Sequence, residues 1–313
     1  MKASPKILSA SIALLLSGSV WAANNSTVIN QTGSGNTLSV DQNGENNQAT
    51  FNQEGDNGQA SITQSGYNNT AQIDQAAGTF NGYASIEQNG NDNWATITQT
   101  VDDRVANVNQ EGSNLVTDVV QDSIDDYYWG SINQVGDDHF ANVVFAGLAN
   151  IGSINQNGGF LSANVYQNGD YNEANISQTN ASHTHGYSAD AATGDLWASI
   201  AQIGSSNYAS INQYSDYFEP YDSATVNQNG DNNSAYVSQN NTGEGNANDI
   251  TINQNNSGNS ANATQFGTLN TALINEAGGN TANVYQGAYG ATSGNFAEVN
   301  ITGSGSSTTI YQQ

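Results

Sequence analysis

A five-residue phrase, small–x–β-branched–x–Gln, constrains this 313-residue chain more than any other feature. It ends at Gln53 (ATFNQ), Gln64 (ASITQ), Gln75 (AQIDQ), Gln88 (ASIEQ), Gln99 (ATITQ) and Gln110 (ANVNQ), and again at Gln167, Gln178, Gln202 and Gln213. Alternation of fixed and free positions is the two-residue period of a β-strand, and Ile and Val in the central slot favour it. A longer phrase, Q-x-G-x-x-N-x-A-x-I-x-Q, links one strand to the next. It is clean at Gln42-Gly44-Asn47-Ala49-Gln53, Gln64-Gly66-Asn69-Ala71-Gln75 and Gln88-Gly90-Asn93-Ala95-Gln99, and returns at Gln202-Gly204-Asn207-Ala209-Gln213 and Gln228-Gly230-Asn233-Ala235-Gln239. Gly112, Gly136 and Gly158 hold the same turn slot, and Asn172 the Asn slot. Gly supplies the positive φ of a tight turn and Asn tolerates the left-handed region. Each arc therefore reads as strand, turn, strand.

Stacked along an axis, such arcs make an all-β, two-strand-per-rung β-solenoid with cross-β Gln/Asn ladders and about 12 rungs. Expected strand pairs lie near 38–53, 60–75, 84–99, 106–121, 130–145, 152–167, 174–189, 198–213, 224–239, 250–265, 272–286 and 299–312. Steps within nine of these pairs, from Gln42–Gln53 to Gln254–Gln265, are 11 residues, and the step from Glu276 to Gln286 is 10, whereas steps between pairs vary among 11, 13 and 15, which predicts loops on one edge only. The 24-residue gap from Gln178 to Gln202 predicts a degenerate strand at 185–189, with His183 in the Asn slot and His185 in the Ala slot. Glu276 stands where Gln is expected.

The fixed slots share one strand face, and because they carry Ile and Val that face points inward. Gln is then buried, at a cost of a few kcal/mol if its amide is unpaired. In a stack spaced at about 4.8 Å each amide can donate to the carbonyl of the next rung. An isolated rung can neither pair its Gln and Asn nor bury its Ile, so the repeat templates itself. The outward slots, such as Asn52, Thr63, Asp74 and Glu87, read as a solvated face with no shared chemistry.

Composition alone points elsewhere. Charged residues are 10% of the chain, 28 acidic against 3 basic, for a net charge of −25. Leu, Ile, Val and Phe fall below the roughly 20% at which a highly charged chain reads as disordered. The repeat overturns that reading, because polar ladders share the interior with few aliphatics. So acidic a chain has no cationic patch with which to bind nucleic acid. Without cysteine it has no disulfide, thiolate metal site or cysteine nucleophile.

Residues 1–22 read as a secretory signal peptide: Lys2 and Lys6, an apolar run through Leu14-Leu15-Leu16, and a small-residue site ending at Ala22. Its removal takes two bases and no acid, moving the net charge from −25 to −27 and leaving Arg104 as the one Lys or Arg. Residues 23–313 form the repeat region, and no later segment is apolar enough to span a bilayer as a helix.

The repeated pattern, with Gly two, Asn five and Ala seven residues after Gln, resembles the curlin repeat of curli subunits, the secreted bacterial functional amyloid. The resemblance runs over about residues 27–312, with about twice the usual number of repeats. It implies export through an outer-membrane pore, nucleation on a minor subunit, and homopolymer growth by end-to-end rung stacking into an extracellular fibre of the biofilm matrix. The lack of basic residues near the C-terminus favours a major-type subunit over a nucleator.

Other constellations carry less. His139 and His183 fall in one slot two rungs apart, too far to chelate one ion. Acidic turns (Asp102-Asp103, Asp125-Asp126, Asp137-Asp138, and Asp216 to Asp222) read as repulsive charge that slows premature stacking. Tyr83, Trp94, Trp129, Phe140, Trp197 and Tyr208 each sit five residues before a Gln slot and should be exposed. No nucleophile–base–acid arrangement or phosphate loop is present, so neither catalysis nor a cofactor is expected. A monomeric carbohydrate- or ice-binding solenoid is the alternative, but the flat Thr-x-Thr array that ice binding needs is missing.

Overall fold

The computed structural model describes residues 14–17, 24–76, 81–100, 102–122, 128–181, 196–215, 221–241, 247–287 and 294–313. Every regular element there is a strand. In chain order these are β1 (Leu14–Ser17), β2 (Ser26–Gln31), β3 (Thr37–Glu45), β4 (Gln48–Gln53), β5 (Gln59–Tyr67), β6 (Thr70–Gln75), β7 (Tyr83–Asn91), β8 (Trp94–Gln99), β9 (Arg104–Ser113), β10 (Val116–Gln121), β11 (Tyr128–Asp137) and β12 (Phe140–Ala146). They continue as β13 (Ile151–Gly159), β14 (Leu161–Asn168), β15 (Glu173–Asn180), β16 (Leu196–Ile203), β17 (Tyr208–Ser215), β18 (Ser223–Asn229) and β19 (Ser234–Asn241). The last six are β20 (Asp249–Asn255), β21 (Ser260–Phe266), β22 (Thr271–Ala277), β23 (Thr281–Gln286), β24 (Phe296–Thr302) and β25 (Ser307–Gln312).

Odd-numbered strands form one parallel sheet of 13 strands, sheet I, and even-numbered strands a second of 12, sheet II. The chain alternates between them, which makes a β-solenoid. Register follows the repeat: Ala60 pairs with Ala84, Ile62 with Ile86 and Gln64 with Gln88. Between the sheets lie columns of like residues, among them Val40, Ile62, Ile86, Val108 and Ile132 from sheet I and Phe51, Ile73, Ile97, Val119 and Val143 from sheet II, all at most 2% exposed. A core only one or two side chains thick is closed by stacking, so few aliphatics suffice.

The strand expected at 185–189 lies outside the described residues; on either side of that segment β14 pairs with β16, Gln167 against Gln202, and β15 with β17, Gln178 against Gln213. One expectation about spacing is corrected: loops are not confined to one edge. The 13-residue steps, Gln75 to Gln88 and Gln121 to Gln134, cross from sheet II to sheet I. The 24- and 15-residue steps, Gln178 to Gln202, Gln213 to Gln228 and Gln239 to Gln254, cross from sheet I to sheet II. The tight arc thus changes edge near residues 147–169, where turns on both edges are short.

Candidate functional site

The turn glycines all have positive φ: 107° at Gly44, 119° at Gly66, 134° at Gly90, 141° at Gly112, 125° at Gly136 and Gly158, 115° at Gly204 and 131° at Gly230. Close approach demands Gly as well, since a Cβ on Gly90 would lie 1.8 Å from Gly112 O. The other left-handed residue of the turn is not the repeat's Asn but the residue before it: Asn46, Asn68 and Asp92 at 57°, 59° and 57°. This leaves the following Asn free to act as a clip. Asn69 N–H donates to Asn47 Oδ1 at 3.0 Å, and Asn69 Nδ2 donates to Gly90 O at 2.8 Å. Asn93 repeats both bonds, to Asn69 Oδ1 at 3.2 Å and Gly112 O at 2.9 Å. Asn172, Asn207 and Asn233 form a second column on the opposite edge: Asn207 N–H meets Asn172 Oδ1 and Asn233 N–H meets Asn207 Oδ1, each at 3.0 Å. Sequence reading treats these as one ladder, and the edge change makes them two.

Gln side chains run through sheet I without a break. Eleven Nε2-to-Oε1 bonds of 2.7–3.1 Å join Gln42, Gln64, Gln88, Gln110, Gln134, Gln156, Gln178, Gln213, Gln239, Gln265, Gln286 and Gln312. The second amide hydrogen crosses to the facing sheet, as from Gln64 to Gln48 O at 2.9 Å and from Gln88 to Thr70 O at 3.0 Å. Both donors of each buried amide are thereby used.

Sheet II carries the same ladder in two pieces. The first joins Gln31, Gln53, Gln75, Gln99 and Gln121. Phe145 occupies the next slot, between Gln121 and Gln167. Its ring stacks on Tyr128 with centroids 5.8 Å apart, and Arg104 Cζ lies 4.4 Å from the Tyr128 centroid. Gly130 and Gly152 replace Ala opposite, where a Cβ on Gly152 would lie 2.7 Å from Phe145 Cζ. Phe145 has no donor to offer, so Gln167 Oε1 is buried without a partner. The second piece joins Gln167, Gln202, Gln228 and Gln254, then ends at Glu276, whose Oε2 accepts from Gln254 Nε2 at 2.9 Å. Ile301 takes the slot beyond.

Two acids sit inside. Burial pushes the Glu276 carboxyl up to about 7, with the Gln254 hydrogen bond opposing. Asp222 occupies an Asn slot, and burial raises it to about 7 against hydrogen bonds from Asn248 N–H at 2.7 Å and Asn241 Nδ2 at 3.2 Å. Burial also lowers Arg104 to about 10, with Tyr128, Asp122 and Asp102 countering. His139 acts as an Asn substitute, its Nδ1 accepting from Leu161 N–H at 3.3 Å and its Nε2 lying 3.1 Å from Val135 O. His183 and His185 lie outside the described residues.

The outer face departs from expectation. Asn30 Nδ2 donates to Asn52 Oδ1 at 2.8 Å and Asn52 Nδ2 to Asp74 Oδ1 at 2.5 Å. Asn227, Asn253, Asn275 and Asn300 form a longer run at 2.7–2.9 Å. These slots therefore share chemistry in short stretches, because parallel in-register stacking aligns outward amides as well as inward ones. Some turn acids are clips: Asp56, Asp137, Asp170 and Asp231 accept from the backbone N–H of Ser34, Ser113, Leu148 and Ser205 in the preceding rung. Asp137 and Asp222 thus have structural partners beyond any repulsive role. Tyr83, Trp94, Trp129, Phe140, Trp197 and Tyr208 are exposed, by 38–55%.

The solenoid's ends present unfinished ladders. Gln31 Oε1 is buried and has no donor. Gln312 spends one amide hydrogen on Phe296 O, at 2.9 Å, and no described rung follows to take the other.

Residues 35–66 and 222–255 match the curlin associated repeat. The first match spans β3 to β5 and the second covers β18 to β20. They contain Gly44, Asn47 and Gln53 in one, and Gly230, Asn233 and Gln239 in the other, so each includes a turn on a different edge. No curated protein matches the chain. No helix among the described residues is long and apolar enough to cross a membrane.

Proposed function

We propose that this chain is a secreted, non-enzymatic structural subunit that polymerises end to end into extracellular cross-β fibres. The observation that carries the reading is the unbroken Gln ladder of sheet I, open at its last described rung. An amide hydrogen without a described recipient at Gln312, in a sheet I ladder otherwise unbroken from Gln42, is what an internal rung would show if its neighbour were removed. Unpaired strand edges of this kind template further strands. Curlin repeats add the family's role, fibre formation in biofilm matrix and adhesion at the bacterial surface, with residues 1–22 directing export. On the same resemblance, a nucleating subunit and an outer-membrane pore are its partners.

The test is refolding of residues 23–313 from denaturant at neutral pH, followed by Thioflavin T and fibre diffraction. Fibres with a 4.7–4.8 Å meridional reflection are expected. A chain that stays monomeric at micromolar concentration for days would refute the proposal.

A further inference from the structure

A groove of about 410 Å³ lies on the outer face of sheet II, outside the ladders that close the core. It crosses β16, β18, β20 and β22 between two outward columns. One column is Ala201, Asn227, Asn253 and Asn275, and the other is Ile203, Asn229 and Asn255, each residue in register with the next. Its volume falls in the range of small-molecule sites.

The two walls differ in what they have left to offer. Asn227 Nδ2 donates to Asn253 Oδ1 at 2.9 Å, and Asn253 Nδ2 donates to Asn275 Oδ1 at 2.8 Å. Ala201 holds the slot before Asn227, and its methyl has no hydrogen to give, so this run opens on the Asn227 Oδ1 acceptor. Opposite, Asn229 and Asn255 are exposed and stand in the same register, yet their side chains bond to no other described residue. An unbonded amide keeps two donors and an acceptor. Where the Asn run stops, the surface turns apolar. Ile203 is 47% exposed, and Tyr166, 41% exposed, stands one rung before Ala201.

No residue lining the groove is charged, in a chain of 28 acids and 3 bases. An anion there would meet the repulsion of the whole chain and no Lys or Arg, and a cation would meet no carboxylate. Every strand beneath the groove is paired on both sides, so a peptide has no edge to join. Amides that donate and accept match hydroxyls, which do both. An aromatic ring beside a small residue suits the C–H face of a sugar ring. We infer that this groove binds a neutral oligosaccharide, its hydroxyls on Asn227, Asn229 and Asn255 and one sugar ring against Tyr166 and Ile203. The site lies within one chain, so it stands whether or not chains polymerise.

Fluorescently labelled cellohexaose, chitohexaose and an oligogalacturonate of the same length are titrated with residues 23–313, and binding is read by anisotropy, a signal open to monomer and fibre alike. At least one neutral hexamer is expected to bind, and the acidic one is not. Ala201→Asn carries the Asn run up to Tyr166 and fills the end of the groove. Asn229→Ala with Asn255→Ala strips the opposite wall. Each change should weaken binding by about tenfold or more, with the parent's denaturation midpoint kept, since neither reaches the core. Asn212→Ala, in an exposed outward slot of sheet I, is the control and should leave affinity unchanged. Binding of neither neutral hexamer overturns the inference. So does equal binding of the acidic one, or affinity that survives both groove variants or falls as far in Asn212→Ala.

Discussion

Asp222 and Glu276 put carboxyls where the repeat places amides, and both titrate near 7 when folded. Unfolded, each titrates in the ordinary carboxylate range near 4. Between those values the folded chain keeps protons that the unfolded chain has lost, so stability is highest below about pH 4. It declines as pH rises through about 7. Asp222→Asn and Glu276→Gln remove the burial penalty; Asp222→Asn also restores a clip donor, while Glu276→Gln keeps an acceptor for Gln254 in a slot that Ile301 follows. At pH 8 we expect a gain of about 2 kcal/mol for Asp222→Asn and, after solvent screening, about 1 kcal/mol for Glu276→Gln. Both gains should vanish at pH 4, and denaturant midpoints at the two pH values check this. Sequence marks Glu276 at once, because it breaks a Gln column. Asp222 hides until the edge change is known, since only then does its position become an Asn slot.

The solenoid's elements are interchangeable except where they are notched. Around Phe145 the small slot deepens from Ala to Gly in two successive sheet I strands, and Tyr128 and Arg104, the first residues of β11 and β9, stack beside its ring. Gly152→Ala should destabilise the chain by about 1–3 kcal/mol through overpacking. Combining it with Phe145→Gln and Gly130→Ala should recover most of that loss, since the ladder then runs through to Gln167; a triple-variant denaturation series measures it. Conversely, Gln110→Ala deletes the donor to Gln134 inside an intact run, and should cost about 1–3 kcal/mol by the same measurement. The strands themselves were legible from the Gln, Ile and Ala periodicity, because a period of two with identical residues leaves one way to stack. The Phe145 break was legible in principle, as two Gly in Ala slots beside a missing Gln. The arrangement of turns was not, since an 11-residue arc reads the same in either direction between sheets, and only pairing across the 178–202 gap tells which edge carries the insertion.

For the whole molecule, net charge opposes association. The chain carries −25, or −27 once residues 1–22 are removed. Assembly should therefore quicken as acids are protonated toward pH 4, or as salt shortens the reach of repulsion at neutral pH. Thioflavin T lag times across pH 4–8 and across salt concentrations check both arms, and equal lag at pH 4 and pH 8 would remove charge as the brake. The change of edge near residues 147–169 has a consequence for such a polymer. Insertions face one side for the first half of each chain and the opposite side for the second. A fibre would then wear its loops in alternating blocks, front and back, repeating once per subunit at roughly 55–60 Å for twelve stacked strands. Anything that grips those loops would meet footholds spaced like the rungs of a staggered ladder, never a continuous rail.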